Sequence, residues 1–266
     1  MIDTTRILLG LLISSAIGAV AYRRGSLSKS GWLGAIITGT ATFGLGGWAH
    51  GVTLVAFFVS STLLSRWRKQ HKQQLEQTLF EKGSQRDIWQ ALANGGVGSV
   101  ICVLMPIFPD ATAILNALYV GAMATVAADT WATELGVLSR NQPRLITTFA
   151  SVARGTSGAI SVAGTLATVA GALAMGVVFA LSLPVLMPIL ILAGAVGGLI
   201  GSLSDSLMGA TVQRLFATPH GPSERRYAAD GSEHRLIRGW MWLNNDMVNF
   251  VSSLFGAGVA LLIWLV

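Results

Sequence analysis

Long apolar runs alternate along this chain with short polar stretches, and nearly all of the charge falls in the polar stretches. Several runs approach or exceed the ~20 apolar residues that cross a bilayer. The pattern predicts eight helices, at 5–22, 31–47, 50–66, 88–106, 111–138, 156–181, 184–213 and 242–265. The fold class is therefore all-α: a polytopic membrane helix bundle of about eight transmembrane helices. The chain reads as one integral membrane domain, 1–266, with polar loops at about 67–87, 139–155 and 214–241. Two pairs of segments align: "WQALANGGVGSV" with "WMWLNNDMVNFV", and "AIITGTAT" with "AISVAGTLAT". Paired helices run in the same direction, a pattern consistent with two parallel four-helix halves.

Charge placement orients the bundle. Of the 18 Lys and Arg, all but Arg6 fall on alternate connections, the side that includes the three long loops. The positive-inside rule places those loops in the cytoplasm and both termini outside it. Helix 1 has Asp3 and Arg6 before it and Arg23 and Arg24 after it, the order of an anchor and not of a cleaved leader. The expected location is a prokaryotic plasma membrane or a thylakoid, with the protein crossing it several times.

Composition agrees. Charged residues make up 11% of the chain, against ~25% in a soluble domain. The net charge of +6 follows from loop topology, so anionic lipid headgroups are its partner and nucleic acid is not. The lone cysteine, Cys102, excludes an intramolecular disulfide or a thiolate metal cluster.

Polar residues inside the apolar runs carry the chemistry. In "VAADTWATELG", Asp129 pairs with Thr133 across one helical turn, and Thr130 with Glu134. A carboxylate at such depth costs at least ~2.5 kcal/mol unless it is paired, hydrated or metal-bound. Helix 7 carries Ser202, Asp205, Ser206, Gly209 and Gln213 on one arc. Helix 8 carries Asn245, Asp246, Asn249, Ser252, Ser253 and Gly256, with Asn244 as a helix cap. Helix 4 aligns Asp87, Gln90, Asn94 and Gly98, and helix 6 aligns Ser157, Ser161, Gly164, Thr165 and Thr168. Ser, Thr and Gly stripes also make packing seams, and a buried Asp also pairs with Arg. Three acidic helices in one leaflet instead predict a shared cavity open to the cytoplasm. No Lys or Arg reaches deep enough to neutralise Asp129 or Asp205, whereas a divalent cation would.

Asp, Glu and Asn oxygens suit Mg²⁺, which keeps several waters and is commonly shared with phosphates. Lys29, Arg86 and Arg154 sit where phosphates would arrive. "RGTSG" at 154–158 predicts a glycine turn and hydroxyls at a helix N-terminus, which favours anions. It is not a Walker A sequence. The four histidines fall outside the predicted cavity, His50 at the outer end and His71, His220 and His234 in loops. Phosphoryl transfer onto an existing phosphate needs no added base, because a monoester is largely dianionic near neutrality.

Together "RDIWQALANGG", "AADTWATELG", "GTSGAIS", "GSLSDSLMGATVQ" and "NNDMVNFVSS" resemble the integral membrane family that includes phytyl-phosphate kinase and the eukaryotic transmembrane protein nineteen. This is the family also known as domain of unknown function ninety-two. The likeness runs from about Lys29 to Ser253, and Ser157 stands where many relatives have Asn. The resemblance implies a polytopic protein acting on prenyl lipids. It also implies conversion of phytyl phosphate to phytyl diphosphate with a nucleoside triphosphate, as in tocopherol biosynthesis. A more distant likeness joins the family to polyprenol kinases that use CTP.

The combined expectation is a magnesium-dependent prenyl-lipid phosphate kinase using CTP or ATP. Asp129, Glu134, Asp205 and Asp246 are expected to hold the metal, with Asp129, Asp205 and Arg86 as the catalytic set. Arg86, Lys29, Arg154, Gly155, Thr156, Ser157 and Gly158 are expected at the nucleotide phosphates, and Asn94, Asn245 and Asn249 at substrate oxygens. A lipid or small-solute transporter and a CTP-dependent nucleotidyltransferase are the alternatives.

Overall fold

In the computed structural model, residues 3–67, 82, 85–219, 221–228 and 230–266 are described. Most of the predicted 67–87 loop, together with His71 and His220, lies outside the described residues. Eight α-helices occupy the described residues: α1 (Thr4–Arg23), α2 (Lys29–Ala41), α3 (Trp48–Arg66), α4 (Ile88–Leu104), α5 (Thr112–Gly136), α6 (Val162–Ala180), α7 (Met187–Thr211) and α8 (Asn245–Leu265). Six helical segments, containing α1, α3, α5, α6, α7 and α8, are long and apolar enough to cross a membrane by length and composition. The remaining two, α2 and α4, have 13 and 17 residues.

The helix ends follow local chemistry. Asp3, Ser28, Ser161 and Asn244 each cap a helix start by accepting a backbone N–H with the side chain. Asp87 and Gln90 form a reciprocal capping box at α4, so two residues of the predicted helix 4 stripe have a structural role. A π-helical turn, Thr42–Gly46, ends the second predicted helix, and Gly47 at φ 93° starts α3. The predicted helix 6 start at 156 is corrected to Val162. Gly155 and Gly158 adopt φ 82° and 81°, and Ala159–Ile160 pairs as a strand with Arg144–Leu145, so helix cannot form there. The loop after α7 also holds an antiparallel sheet that the apolar pattern did not announce. Its strands are Leu215–Thr218, Gly221–Ser223 and Leu236–Arg238, with the first in the centre.

Apolar bulk faces outward, as in a lipid solvent. Leu12, Leu166 and Leu262 are 66%, 67% and 64% exposed, while small residues fill the contacts between helices. Helix α5 packs on α6, α7 and α8, and α7 on α6 and α8; α1 packs on α2, α2 on α4, and α3 leans on α5 and α6. A large-residue core of Tyr119, Met123, Phe179 and Leu190 fills the end of the α5–α8 group remote from the loops. His50 is buried there between Tyr119 and Phe179, with ring centroids at 4.5 and 5.0 Å.

The tightest junction lies nearer the loop-bearing face. Thr125 of α5 is fully buried between Gly201 of α7 and Gly256 of α8, and a Cβ at either glycine would overlap its side chain. The Thr125 hydroxyl donates to the Gly121 carbonyl at 2.8 Å and the Gly197 carbonyl at 3.3 Å. Asp129, Asp205 and Ser252 each lie one turn from this junction, on the side toward the loops.

Gly256→Leu should lower thermal stability in detergent by about 1–3 kcal/mol through overpacking. Gly258→Ala, with nothing within 4 Å of its added Cβ, should leave the melting midpoint unchanged or slightly higher.

Candidate active site

The loop-bearing ends of α3 to α8 enclose a polar cavity of about 300 Å³. Two acids from facing helices line its floor. Asp205 is 9% exposed and accepts a hydrogen bond from Ser252 Oγ at 3.0 Å. Asp129 is half-buried on α5 and makes no hydrogen bond or ion pair with the described residues. Asp205 lies within electrostatic reach of both Asp129 and Glu224. Two carboxyls facing one low-dielectric space repel when both are ionised, a cost that a bound cation would relieve.

The other two predicted acids sit at the wall and are engaged. Glu134 accepts from Ser65 Oγ and lies within electrostatic reach of Arg86. Asp246 holds the Lys82 ammonium, which also bridges to Asp87 at 2.8 Å. Among the described residues, no group of three or more His, Cys, Asp or Glu is close enough to cage a metal ion. The four predicted carboxylates therefore share the cavity without forming one cluster.

Burial by itself would lower the Lys82 pKa, but its bonds to Asp246 and Asp87 outweigh this and hold it above the ordinary lysine range. Its ion pairs with α4 and α8 thus persist through neutrality. Burial also pulls the Arg86 pKa down, opposed by the Glu134 charge, and the guanidinium stays cationic. Arg86 donates to Thr62 Oγ1 at 3.2 Å and stands 5.7 Å from the Phe58 ring centroid.

The loop 154–160 covers one side of the cavity. Gly158 lies against Ala210 of α7 so closely that a Cβ would overlap the helix backbone. Ser157 Oγ donates to Glu224 Oε1 at 3.0 Å, and Gln213 Nε2 donates to the same oxygen at 2.8 Å. Glu224 is 8% exposed and ties the loop to the α7 end and the small sheet. Sequence reasoning missed it, because it stands in a polar loop with no apolar flank. The one signal was Gln213 at the end of the helix 7 stripe.

Thirteen of the predicted site residues line this cavity. They are Arg86, Asn94, Asp129, Glu134, Arg154, Gly155, Thr156, Ser157, Gly158, Asp205, Asn245, Asp246 and Asn249. The side-chain amides of Asn94, Asn245 and Asn249 bond to none of the described residues. Lys29 does not line the cavity. It is exposed at the start of α2, next to the Ser28 cap. The 154–158 turn is likewise not a helix N-terminus, since a strand and the Ser161 cap intervene. Its approach to the cavity rests on glycine φ angles and not on a helix dipole.

The helices and the cavity define a polytopic helical membrane protein with a polar, acid-floored site at its loop-bearing end. Residues 12–257 match the family model for integral membrane protein DUF92, and the chain belongs to that family. It is similar to Protein PGR of Arabidopsis thaliana, 33% identical over 276 residues, covering 94% of this chain and 93% of the relative. It is also similar to the uncharacterized membrane protein MJ0933 of Methanocaldococcus jannaschii, 30% identical over 261 residues, at 97% and 94% coverage. Protein VTE6, chloroplastic, of Arabidopsis thaliana is 27% identical over 243 residues, covering 89% of this chain and 65% of the relative. No solved structure matches.

Glu224→Ala should cost about 1–3 kcal/mol by stranding Ser157 and Gln213, and should raise hydrogen exchange across 154–160. The Lys82 pairs contribute fully below the ordinary lysine pKa and are lost as pH rises above that range. The melting difference between wild type and Lys82→Met should therefore hold near neutrality and shrink above about pH 10.5.

Proposed function

We propose that this protein transfers the γ-phosphoryl group of a nucleoside triphosphate to a prenyl-lipid monophosphate, giving the diphosphate. The observation that carries the reading is the pair of acids, Asp129 and Asp205, facing one cavity with no cationic partner among the described residues. The residue chemistry fits Mg²⁺: two carboxylates offer oxygens, and the unengaged amides of Asn94, Asn245 and Asn249 add neutral ones. Too few ligands converge for an all-protein cage, which suits an ion that keeps waters and shares phosphate oxygens. When bound, the ion would neutralise charge on the transferring phosphoryl group.

The chain's own residues position the reactants. Ser252 orients Asp205 through its hydrogen bond, leaving the other carboxylate oxygen toward the cavity. Arg154 and the 154–158 loop, held by Glu224, form the side at which a triphosphate enters. An oxygen of the lipid phosphate attacks the γ-phosphorus, the β–γ bridge breaks, and the nucleoside diphosphate leaves. No protein base is needed, because the attacking monoester is already largely dianionic. Engaged Glu134 and Asp246 then act as wall supports, through Ser65 and Lys82. Family membership and the likeness to VTE6 support a prenyl-phosphate substrate.

Purified protein given phytyl monophosphate, Mg²⁺ and CTP or ATP should form phytyl diphosphate and nucleoside diphosphate. Asp129→Asn and Asp205→Asn should each lower turnover by about a hundredfold or more with the melting midpoint retained, and chelation should abolish it. Absence of the diphosphate with every nucleotide overturns the reading, and pyrophosphate release instead would indicate nucleotidyl transfer.

A further inference from the structure

A second cavity adjoins the first. It is a cleft between α1, α2, α3 and α4, walled by Ile17, Ala35, Leu54, Val55 and Phe58. Its walls are mostly apolar, and its charged and amide side chains lie where it meets the polar cavity. Three residues line both spaces: Arg86, Gln90 and Asn94. The cleft encloses about 70 Å³ against about 300 Å³ for the polar cavity, so it is the narrower of the two. From Ala35 to Phe43 it runs ~12 Å along α2, the reach of two or three isoprene units.

We infer that this cleft holds the hydrocarbon chain of a single-chain lipid monophosphate, with Arg86 gripping its phosphate at the junction. This rests on the phosphotransfer reading and assigns its two substrates to opposite sides. Charge complementarity carries the assignment. Among the described residues Arg86 is the cation that lines both spaces, at the end of the apolar slot that meets the polar cavity, where a monoester dianion would stop. Phe58 lies 5.7 Å from the guanidinium, which also donates to Thr62, and the two contacts hold Arg86 at the junction. Gln90 and Asn94 extend the donor set one and two turns along α4. Arg86 thus serves the lipid phosphate, and the nucleotide is left to Arg154 and the 154–158 loop on the far side of the acids. Two phosphates arriving from opposite sides meet at the Asp129–Asp205 floor, the arrangement an in-line displacement requires.

The test measures binding of radiolabelled phytyl monophosphate in detergent without nucleotide, beside isopentenyl monophosphate, whose single isoprene unit fills less than half of the ~12 Å cleft. Leu54→Trp, and separately Val55→Phe, should weaken phytyl monophosphate by about tenfold or more and leave isopentenyl monophosphate within about twofold. Val52→Trp, on an outward face 46% exposed, should change neither. Arg86→Gln should weaken both monophosphates by about tenfold or more and leave the uncharged alcohol phytol bound as before. Equal weakening of long and short chains, or full phytyl monophosphate binding in both cleft variants, overturns the inference. Turnover separates the two proposals. Lipid binding in the cleft without phosphoryl transfer sinks the kinase reading alone, and transfer indifferent to both cleft variants sinks the cleft alone.

Discussion

The close meeting of α5, α7 and α8 at Thr125 governs the architecture of the site. Lipid offers no hydrophobic drive between helices, so association depends on backbone approach and interhelical hydrogen bonds. Gly201 and Gly256 supply the approach, and the Thr125 hydroxyl supplies the bond to the Gly197 carbonyl. Each helix then projects a polar side chain one turn nearer the loops: Asp129, Asp205 and Ser252. A larger residue at either glycine would push the backbones apart and separate the acids along with them. The same seam that holds the bundle together therefore sets the distance between its two unneutralised carboxylates.

Around that floor, charge is distributed by engagement. Lys82 and Arg86 are drawn to the wall acids Asp246 and Glu134, while Asp129 and Asp205 face the cavity with Ser252 as their one hydrogen-bond donor among the described residues. The walls are thus electrostatically settled and the floor is not. This contrast locates chemistry better than acidity alone, because five carboxylates line the space and three of them, Glu134, Asp246 and Glu224, are engaged. The loop with Ser157 gains its place in the same way, through a buried Glu224 that also holds Gln213.

The helical character was legible because lipid-solvated segments must be long, apolar and closed in their backbone bonding, and six helical segments among the described residues meet that length. The polar stripes were legible because helical spacing is regular, and thirteen of their residues and neighbours reach one cavity. Errors clustered where periodicity gives no information. The 154–158 turn reads as the start of a helix, yet the strand Ala159–Ile160 and the Ser161 cap separate it from α6. Lys29 was placed near phosphates by its charge and loop position, and it stands exposed at the start of α2, outside the cavity lining. The sheet after α7 and Glu224 escaped notice because loop strands of three or four residues leave no pattern.

The order of residues along the chain determined by itself that this is a membrane-embedded helical protein with acids concentrated toward one end. Periodicity and the cost of polar groups in lipid act locally, so both can be read one helix at a time. Which acids remain unpaired, which cation bridges two cavities, and which glycines bring α5, α7 and α8 into contact were decided by tertiary packing. Those are relations between side chains far apart in sequence, and no spacing along a single helix encodes them.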